Sequence, residues 1–470
     1  MISSFYSANK TRSALLVCIL FCVSLAGCMP VKLPQLPDQT ARYWQTQTGN
    51  GTVHADLRNW WKVFNDSRLN GIVDTALAHN LTIQQATERL AAVRNTSSHQ
   101  RDLYLPDVSA NGVPVQDARA RNSFYHASLD VTWELGLFGS YQGQQMSAEA
   151  DLRSAISERD SAMVSVIAGV VQAYLNLGVA NQQSAFLKQQ LAYETQLIHL
   201  GQVRINNHVG SRDAVQQLEI QQLQTQAALA SSQLEVSHAE HTLAALLGRD
   251  EPDPSWSTIQ EPPVLPAGYT LDAVPADMLR TRPDILAAEA NVMKAAAQLG
   301  IARAALYPQL NLGGSILYSY NLTDDRRSSS DMTPSIGPTI NIPLWNWGAR
   351  INERNARKRE LKAALLGYRQ SVVAGESEVE KSLASMRYAQ QRSDDLSAIQ
   401  KIYDDRVSTT QKRIGLGYAN QYDLMDAKID MLRAKSAQML ANSERTLGFI
   451  ALYKALGGAP YNQLSLRDTP

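Results

Sequence analysis

The chain has 470 residues, 44% of them apolar, which is too long for one ordinary core and too apolar for wholesale disorder. Its 44 lysines and arginines equal its 44 aspartates and glutamates, so no global field draws it to nucleic acid and that partner class is excluded. Its 3 cysteines, Cys18, Cys22 and Cys28, sit at the N-terminus, which leaves no disulfide framework for the rest.

Residues 1–27 read as a secretory signal peptide: Lys10 and Arg12 precede the apolar run "SALLVCILFCVSLAGC". The small residues Leu25-Ala26-Gly27 before Cys28 resemble a bacterial lipobox, in which the Cys28 thiol is acylated and the signal removed. An ordinary signal with an incidental cysteine is the competing reading. Met29 after the cysteine, in place of aspartate, resembles lipoproteins passed on to the outer membrane. Residues 28–65 then form a lipidated N-terminal linker.

Residues 66–250 form a first repeat. A helix is predicted over Leu69 to Gln100, and it gives way to strand at Pro106, because proline lacks the amide that continues a helix and biases its predecessor toward extended geometry. In "FYHASLDVTWEL", Tyr125, Ala127, Leu129, Val131, Trp133 and Leu135 alternate with His126, Ser128, Asp130, Thr132 and Glu134, the period of a sheet with one apolar face. A soluble sandwich gives the same alternation. The small hydrophilic partner set suits a water-filled lumen, and the aromatics toward the strand ends suit interfacial girdles. From Gln142 to about Asn207 a very long helix follows, free of proline. Within it "SAMVSVIAGVVQAYLNLGVA" is apolar enough to suggest a membrane span, but Gln172 and Asn176 interrupt it and the helical pattern continues on both sides, so a buried helix segment is expected. The turn Val209-Gly210-Ser211 reverses the chain, with glycine expected to supply left-handed geometry, and a helix over Arg212 to Leu247 closes the repeat near Gly248.

Residues 251–275, containing "EPDPSWSTIQEPPVLPAG", are an equatorial linker, and residues 276–457 spell the same order again. A shift of 202 lays "LTIQQATERLAAVR" on "PDILAAEANVMKAA" and Pro106 on Pro308 (308 − 106). Strands follow Pro308, with Leu310, Leu312, Ile316, Tyr318 and Tyr320 on one face, and again in "SIGPTINIPL". Gly348 matches Gly139 at the start of a second long helix that runs to about Arg413, and Gly417 is laid on Gly210. The turn Gly415-Leu416-Gly417 leads into a helix over Gln421 to Leu456; residues 458–470 are a C-terminal tail. At about 1.5 Å per residue each long helix spans on the order of 100 Å, and each is matched in length by a stacked pair of shorter ones, giving four columns. Their alanine-, serine- and glutamine-rich surfaces suit a hollow wall with close side contacts, whereas a leucine seam would build a solid coil. A plain periplasmic coiled-coil rod is the competing architecture.

Four strands cannot close a membrane barrel, because an open edge leaves backbone groups unpaired in hydrocarbon and the smallest barrels need about eight strands. Several copies must share one barrel. The chain is thus read as an α+β membrane protein, internally duplicated and obligately oligomeric.

"VPADMLRTRPDILAAEANVMKAAAQLGIARAALYPQLNL", "WWKVFNDSRLNGIVDTALAHNLTIQQATERL" and "WELGLFG" resemble the TolC-like outer-membrane factors, in particular their NodT-type lipoprotein branch, over nearly the whole mature chain. The resemblance implies a homotrimer: a twelve-stranded transmembrane β-barrel, four strands per chain, continuous with a twelve-helix periplasmic α-barrel. It further implies the exit duct of a tripartite efflux pump for drugs, toxic compounds or metal ions. The partners would be a periplasmic adaptor (a membrane fusion protein), an inner-membrane transporter of the resistance-nodulation-division (RND) type, and outer-membrane lipid. A structural or adhesive lipoprotein without an open channel, and a duct for protein secretion, are the alternative functions.

No catalytic constellation or cofactor motif stands out, so neither enzyme activity nor a cofactor is expected. His238 and His241 share a helix face, but without a further ligand pair they read as solvated surface rather than a metal site. Met425 and Met431 fit core packing or soft-metal contacts. Asp423 and Asp426, at i, i+3, share a helix face just past the second turn. In an oligomer they make a carboxylate ring that favours cations; an ordinary solvated face is the competing reading. By the resemblance, Tyr422 and Asp426 fall where the channel is constricted at its periplasmic gate, and Ile429 stands where the branch often has arginine. Glu219, nine past Gly210 as Asp426 is nine past Gly417, is the weaker gate residue. Val209, Gly210, Ser211, Gly415, Leu416 and Gly417 are the expected adaptor-contacting tips.

Overall fold

The computed structural model describes residues 33–34, 36, 59–102, 104–116, 123–266, 281–321 and 327–458. Cys28 and the signal segment lie outside the described residues, as do most of 28–65, part of the equatorial linker and residues 459–470.

The elements run α1 (Ser67–His79), α2 (Leu81–Asp102), β1 (Asp107–Gln116), β2 (Ser123–Glu134), α3 (Ser140–Asn206), α4 (Arg212–Leu246), α5 (Pro283–Ala304), β3 (Gln309–Asn321), β4 (Arg327–Asn341), α6 (Trp347–Gly415) and α7 (Gln421–Ala455). Helix gives way to strand at Pro106 and again at Pro308, as expected from the missing amide. The single first helix expected over Leu69 to Gln100 is instead two. Asn80 turns extended at ψ 125° and its side-chain oxygen accepts from the amides of Thr82 (2.9 Å) and Ile83 (3.1 Å), capping α2. Its amide group donates to the Leu246 carbonyl at 2.8 Å.

The duplication extends to element lengths. Helices α2 and α5 have 22 residues each, α4 and α7 have 35 each, and α3 and α6 have 67 and 69. The offset between the halves is 202 at α2 and α5 (283 − 81) but 209 at α4 and α7 (421 − 212). Five of the seven extra residues lie in the second hairpin, which spans 309–341 against 107–134, and two lie in α6.

Contacts divide the chain into two units, each drawing on both repeats. The first contains the described residues within 1–38, 89–156 and 286–370; the second contains those within 39–88, 157–285 and 371–470.

The first unit carries the sheet, antiparallel throughout in the order β1-β2-β3-β4. Register places Asp130 between Ser109 and Ser315, and Leu129 between Ala110 and Ile316. Around Asp130 one face therefore gathers small polar groups, with Val113 and Leu317 further along the same face. The other presents Val108, Tyr125, Leu129, Ile316, Ile336 and Ile340, all exposed, with Ile336 at 85%. An apolar face this bare is what a hydrocarbon surround requires. Strands β1 and β4 are the edges, with no further strand beside them among the described residues.

The second unit holds an apolar core built on Val166–Leu177 of α3, where Ile167, Val170, Leu175 and Leu177 are each 0% exposed. The apolar stretch of α3 is thus core, as its interruptions by Gln172 and Asn176 implied. Trp60 stacks on Tyr453 at 5.3 Å and meets Phe449 edge-on at 6.0 Å, fixing the chain just before α1. Asp66 caps α1 and accepts the Tyr174 hydroxyl at 2.6 Å, and burial together with that carboxylate pushes the Tyr174 hydroxyl up from its ordinary range. Arg282, 5% exposed, donates to the Ala455 carbonyl at the end of α7 and to Asp284 (2.7 Å) and Glu378 (2.8 Å).

The double duty of Asn80 makes it a sensitive position. Asn80→Ala is expected to cost roughly 1–2 kcal/mol, the loss of one cap and one buried hydrogen bond, read as a lower midpoint in thermal unfolding by circular dichroism. An unchanged midpoint would mean the break between α1 and α2 is held by packing alone.

Candidate functional site

The tip turns and the helix starts that follow them belong to the second unit. Helix α3 ends at Asn206 and the chain reverses through residues 207–211; α6 ends at Gly415 and reverses through 416–420. In the first turn the Val209 amide donates to the Arg204 carbonyl at 3.0 Å, and in the second the Tyr418 amide donates to Arg413 at 2.8 Å. The His208 amide bonds Ile205, as the Gly417 amide bonds Ile414. Each of these pairs is offset by 209 (418 − 209, 417 − 208), which corrects the expected matching of Gly210 to Gly417. The left-handed residue is His208 in the first turn (φ 59°) and Gly417 in the second (φ 77°). Gly210 serves close approach instead, since a Cβ there would stand 2.9 Å from the Arg204 Cβ. In sequence, the glycine masked the histidine that holds the corresponding place.

The same offset revises the acids. Asn420 caps α7 and Asp423 completes a capping box, its carboxylate accepting the Asn420 amide at 3.0 Å while the Asn420 side chain accepts the Asp423 amide at 3.1 Å. Ser211 is the corresponding cap of α4, accepting from the Asp213 amide at 3.2 Å. The counterpart of Asp426 is therefore Gln217 (426 − 209), and that of Glu219 is Lys428 (219 + 209). Glu219 is exposed but is not the first-repeat equivalent of Asp426.

Asp426 is exposed and lies 3.7 Å from Arg406, whose guanidinium binds Asp430 at 2.8 Å. Both partners of the longer contact are about half exposed, so the pairing is weak and Asp426 still presents its charge to water. Arg406 was overlooked in the sequence although the hairpin predicts it: it stands nine before Gly415, as Asp426 stands nine after Gly417. Tyr422 is half-buried beneath the Arg204 guanidinium, 5.8 Å from the ring centre, and packs on Leu197, Leu424, Met425 and Ile429. Ile429 and Met425 are 2% and 7% exposed, so both serve that small core. Lys428 sits over Tyr193 at 5.2 Å. The turn apices are bare, with Val209 at 67%, Leu416 at 71% and Tyr418 at 74% exposure, and Gly210, Ser211, Gly415 and Gly417 are exposed beside them. His238 and His241 lie exposed on α4. This arrangement supplies fixed charge and exposed apolar tips, and no nucleophile paired with a base is found among the groups at this end of the described chain.

The family model for outer membrane efflux proteins matches residues 72–249 and 274–458, one stretch in each repeat. Nodulation protein T of Rhizobium leguminosarum bv. trifolii is 27% identical over 436 residues, covering 88% of this chain and 89% of that protein. The cation efflux system protein CusC of Escherichia coli K12 is 26% identical, covering 93% of this chain and 98% of its own. Among solved structures, the open state of the MtrE outer membrane channel of Neisseria gonorrhoeae superposes with a TM-score of 0.79 at 25% identity, covering 92% of this chain and 98% of that one. CusC is named for cation efflux and MtrE for an outer membrane channel, which favours the duct over a closed structural lipoprotein. The chain belongs to the outer membrane efflux protein family, and it is an efflux channel of the Gram-negative outer membrane that extends into the periplasm.

Proposed function

We propose that three copies of the chain form the exit duct of a tripartite pump, receiving cargo from an RND-type inner-membrane transporter through a periplasmic adaptor. The observation that carries this reading is the four-stranded sheet with one bare apolar face and two edge strands. Edge groups must find partners in hydrocarbon, and three such sheets joined β4 to β1 give twelve strands with no edge left. Drugs, toxic compounds or metal ions are the cargo classes, moved passively, with energy supplied by the transporter. The lipobox at Cys28 supports acylation as a second tie to the outer membrane.

The narrow end is gated by the starts of α4 and α7. Tyr422 contributes bulk and Asp426 contributes charge; Asp423, engaged in its capping box, adds charge at the same level, and Glu219 adds a carboxylate from α4. Through threefold symmetry these acids ring the entrance and favour cations. Asp426→Asn should roughly halve the cation-to-anion permeability ratio in planar-bilayer recordings. An unaltered reversal potential would remove the charge ring from the gate.

The apolar apices Val209 and Leu416, with the glycines and Ser211 around them, meet the adaptor. Cysteines placed at Val209 and at Leu416 should each form a crosslinked adduct with an adaptor carrying cysteines along its own tip. Failure at both positions, in a preparation that still co-purifies with the adaptor, would place the contact elsewhere.

A further inference from the structure

Asp130 lies within β2, on the polar face of the sheet, and it is held from three sides. Its Oδ2 accepts from Asn111 Nδ2 of β1 at 2.8 Å and from Ser128 Oγ at 2.7 Å, while its Oδ1 accepts from Ser315 Oγ of β3 at 2.5 Å. All three donors are neutral. They orient the carboxylate without cancelling its charge. No lysine or arginine occurs in β1, β2, β3 or residues 334–341 of β4, and Arg327 stands at the far end of β4, opposite Tyr320; within β1, β2 and β3 the other acidic or basic residues sharing the Asp130 face are Asp107 and Glu134 at the strand ends and His126. The apolar face turns to lipid, so the polar face turns to the lumen.

We propose that Asp130 is a selectivity-determining residue of the duct: in the trimer its three copies form a fixed ring within the strand barrel that favours cations over anions of similar size. This ring is separate from the tip acids, being carried by the sheet rather than by the starts of α4 and α7. The inference rests on the duct reading above. A charge clamped by neutral donors across three strands does not swing toward a passing ion, and so acts as a standing barrier to anions. A purely structural role, tying β1 and β3 to β2, needs hydrogen-bond acceptors but no net charge, and charge is what the test reads.

The test is the reversal potential of full-length trimer in planar bilayers under a KCl gradient. In an Asp426→Asn background, where the tip contributes less, Asp130→Asn should lower the cation-to-anion permeability ratio about two-fold or more. The difference should shrink at high salt, where the screening length falls from about 10 Å at 0.1 M to about 3 Å at 1 M. Asp130→Cys, checked for trimer formation, gives a second readout. Modification by a sulfonatoethyl thiosulfonate should restore cation preference, and a trimethylammonium reagent should drive it toward anions, with the parent treated identically as control. Reversal potentials that stay at the parent value in Asp130→Asn, or that respond alike to both reagents in Asp130→Cys, would overturn the ring while leaving the duct intact. A parent without any conductance would overturn the duct reading and this inference with it.

Discussion

The sheet ends in two strands whose outer amides and carbonyls have no neighbouring strand, while one whole face of the same sheet is apolar and uncovered. In water such a surface would aggregate, and in a bilayer the open edges would carry several kcal/mol of unsatisfied polar groups each. Both problems have one solution, closure with identical sheets inside lipid. An oligomer is thus a requirement of the strand count, and a closed barrel is its geometric consequence. A barrel with small polar groups on its inner face holds water.

Duplication explains how one chain supplies both wall materials. Each half passes from helix to sheet at a proline, Pro106 and Pro308, and returns to helix through a short turn beginning at Leu135 or at Ile342. Two passages per half leave four strands and the same order of helices in each half. The halves differ in length in a localised way: the second hairpin has five more residues than the first, and α6 has two more than α3. The tips of the two repeats also differ chemically. Gly417 and His208 hold the same left-handed position, Asn420 and Ser211 the same cap, yet Asp426 faces Arg406 where its counterpart is Gln217.

Much of this was readable from residue order because proline, alternation and uninterrupted helical stretches act locally. The helix ends, the four strands and the burial of Val166–Leu177 follow from such rules. What escaped had competing local signals. Asn80 sits in a stretch whose helical periodicity continues across it, so nothing short of its bonds to Thr82, Ile83 and Leu246 marks the break. Gly210 drew attention because glycine is the usual left-handed residue, but His208 takes that conformation and shifts the whole match by two. Asp423 read as a free carboxylate when its spacing from Asn420 also fits a cap, and the structure uses it so.

The second unit shows why the tip can carry functional charge at all. Its firmest anchors lie away from the turns, in the aromatic stack of Trp60, Phe449 and Tyr453 and in the bonds of Arg282 to Ala455, Asp284 and Glu378. Near the turns the core shrinks to Leu197, Leu424, Met425 and Ile429 with half-buried neighbours. There the tie between α6 and α7 includes the half-exposed contact of Arg406 with Asp426, which contributes little to stability. An end held by a small core and weak surface pairs can rearrange at low cost, whereas the aromatic stack cannot. Within this unit, stability and the tip charge of Asp426 are thus allotted to opposite ends of α7.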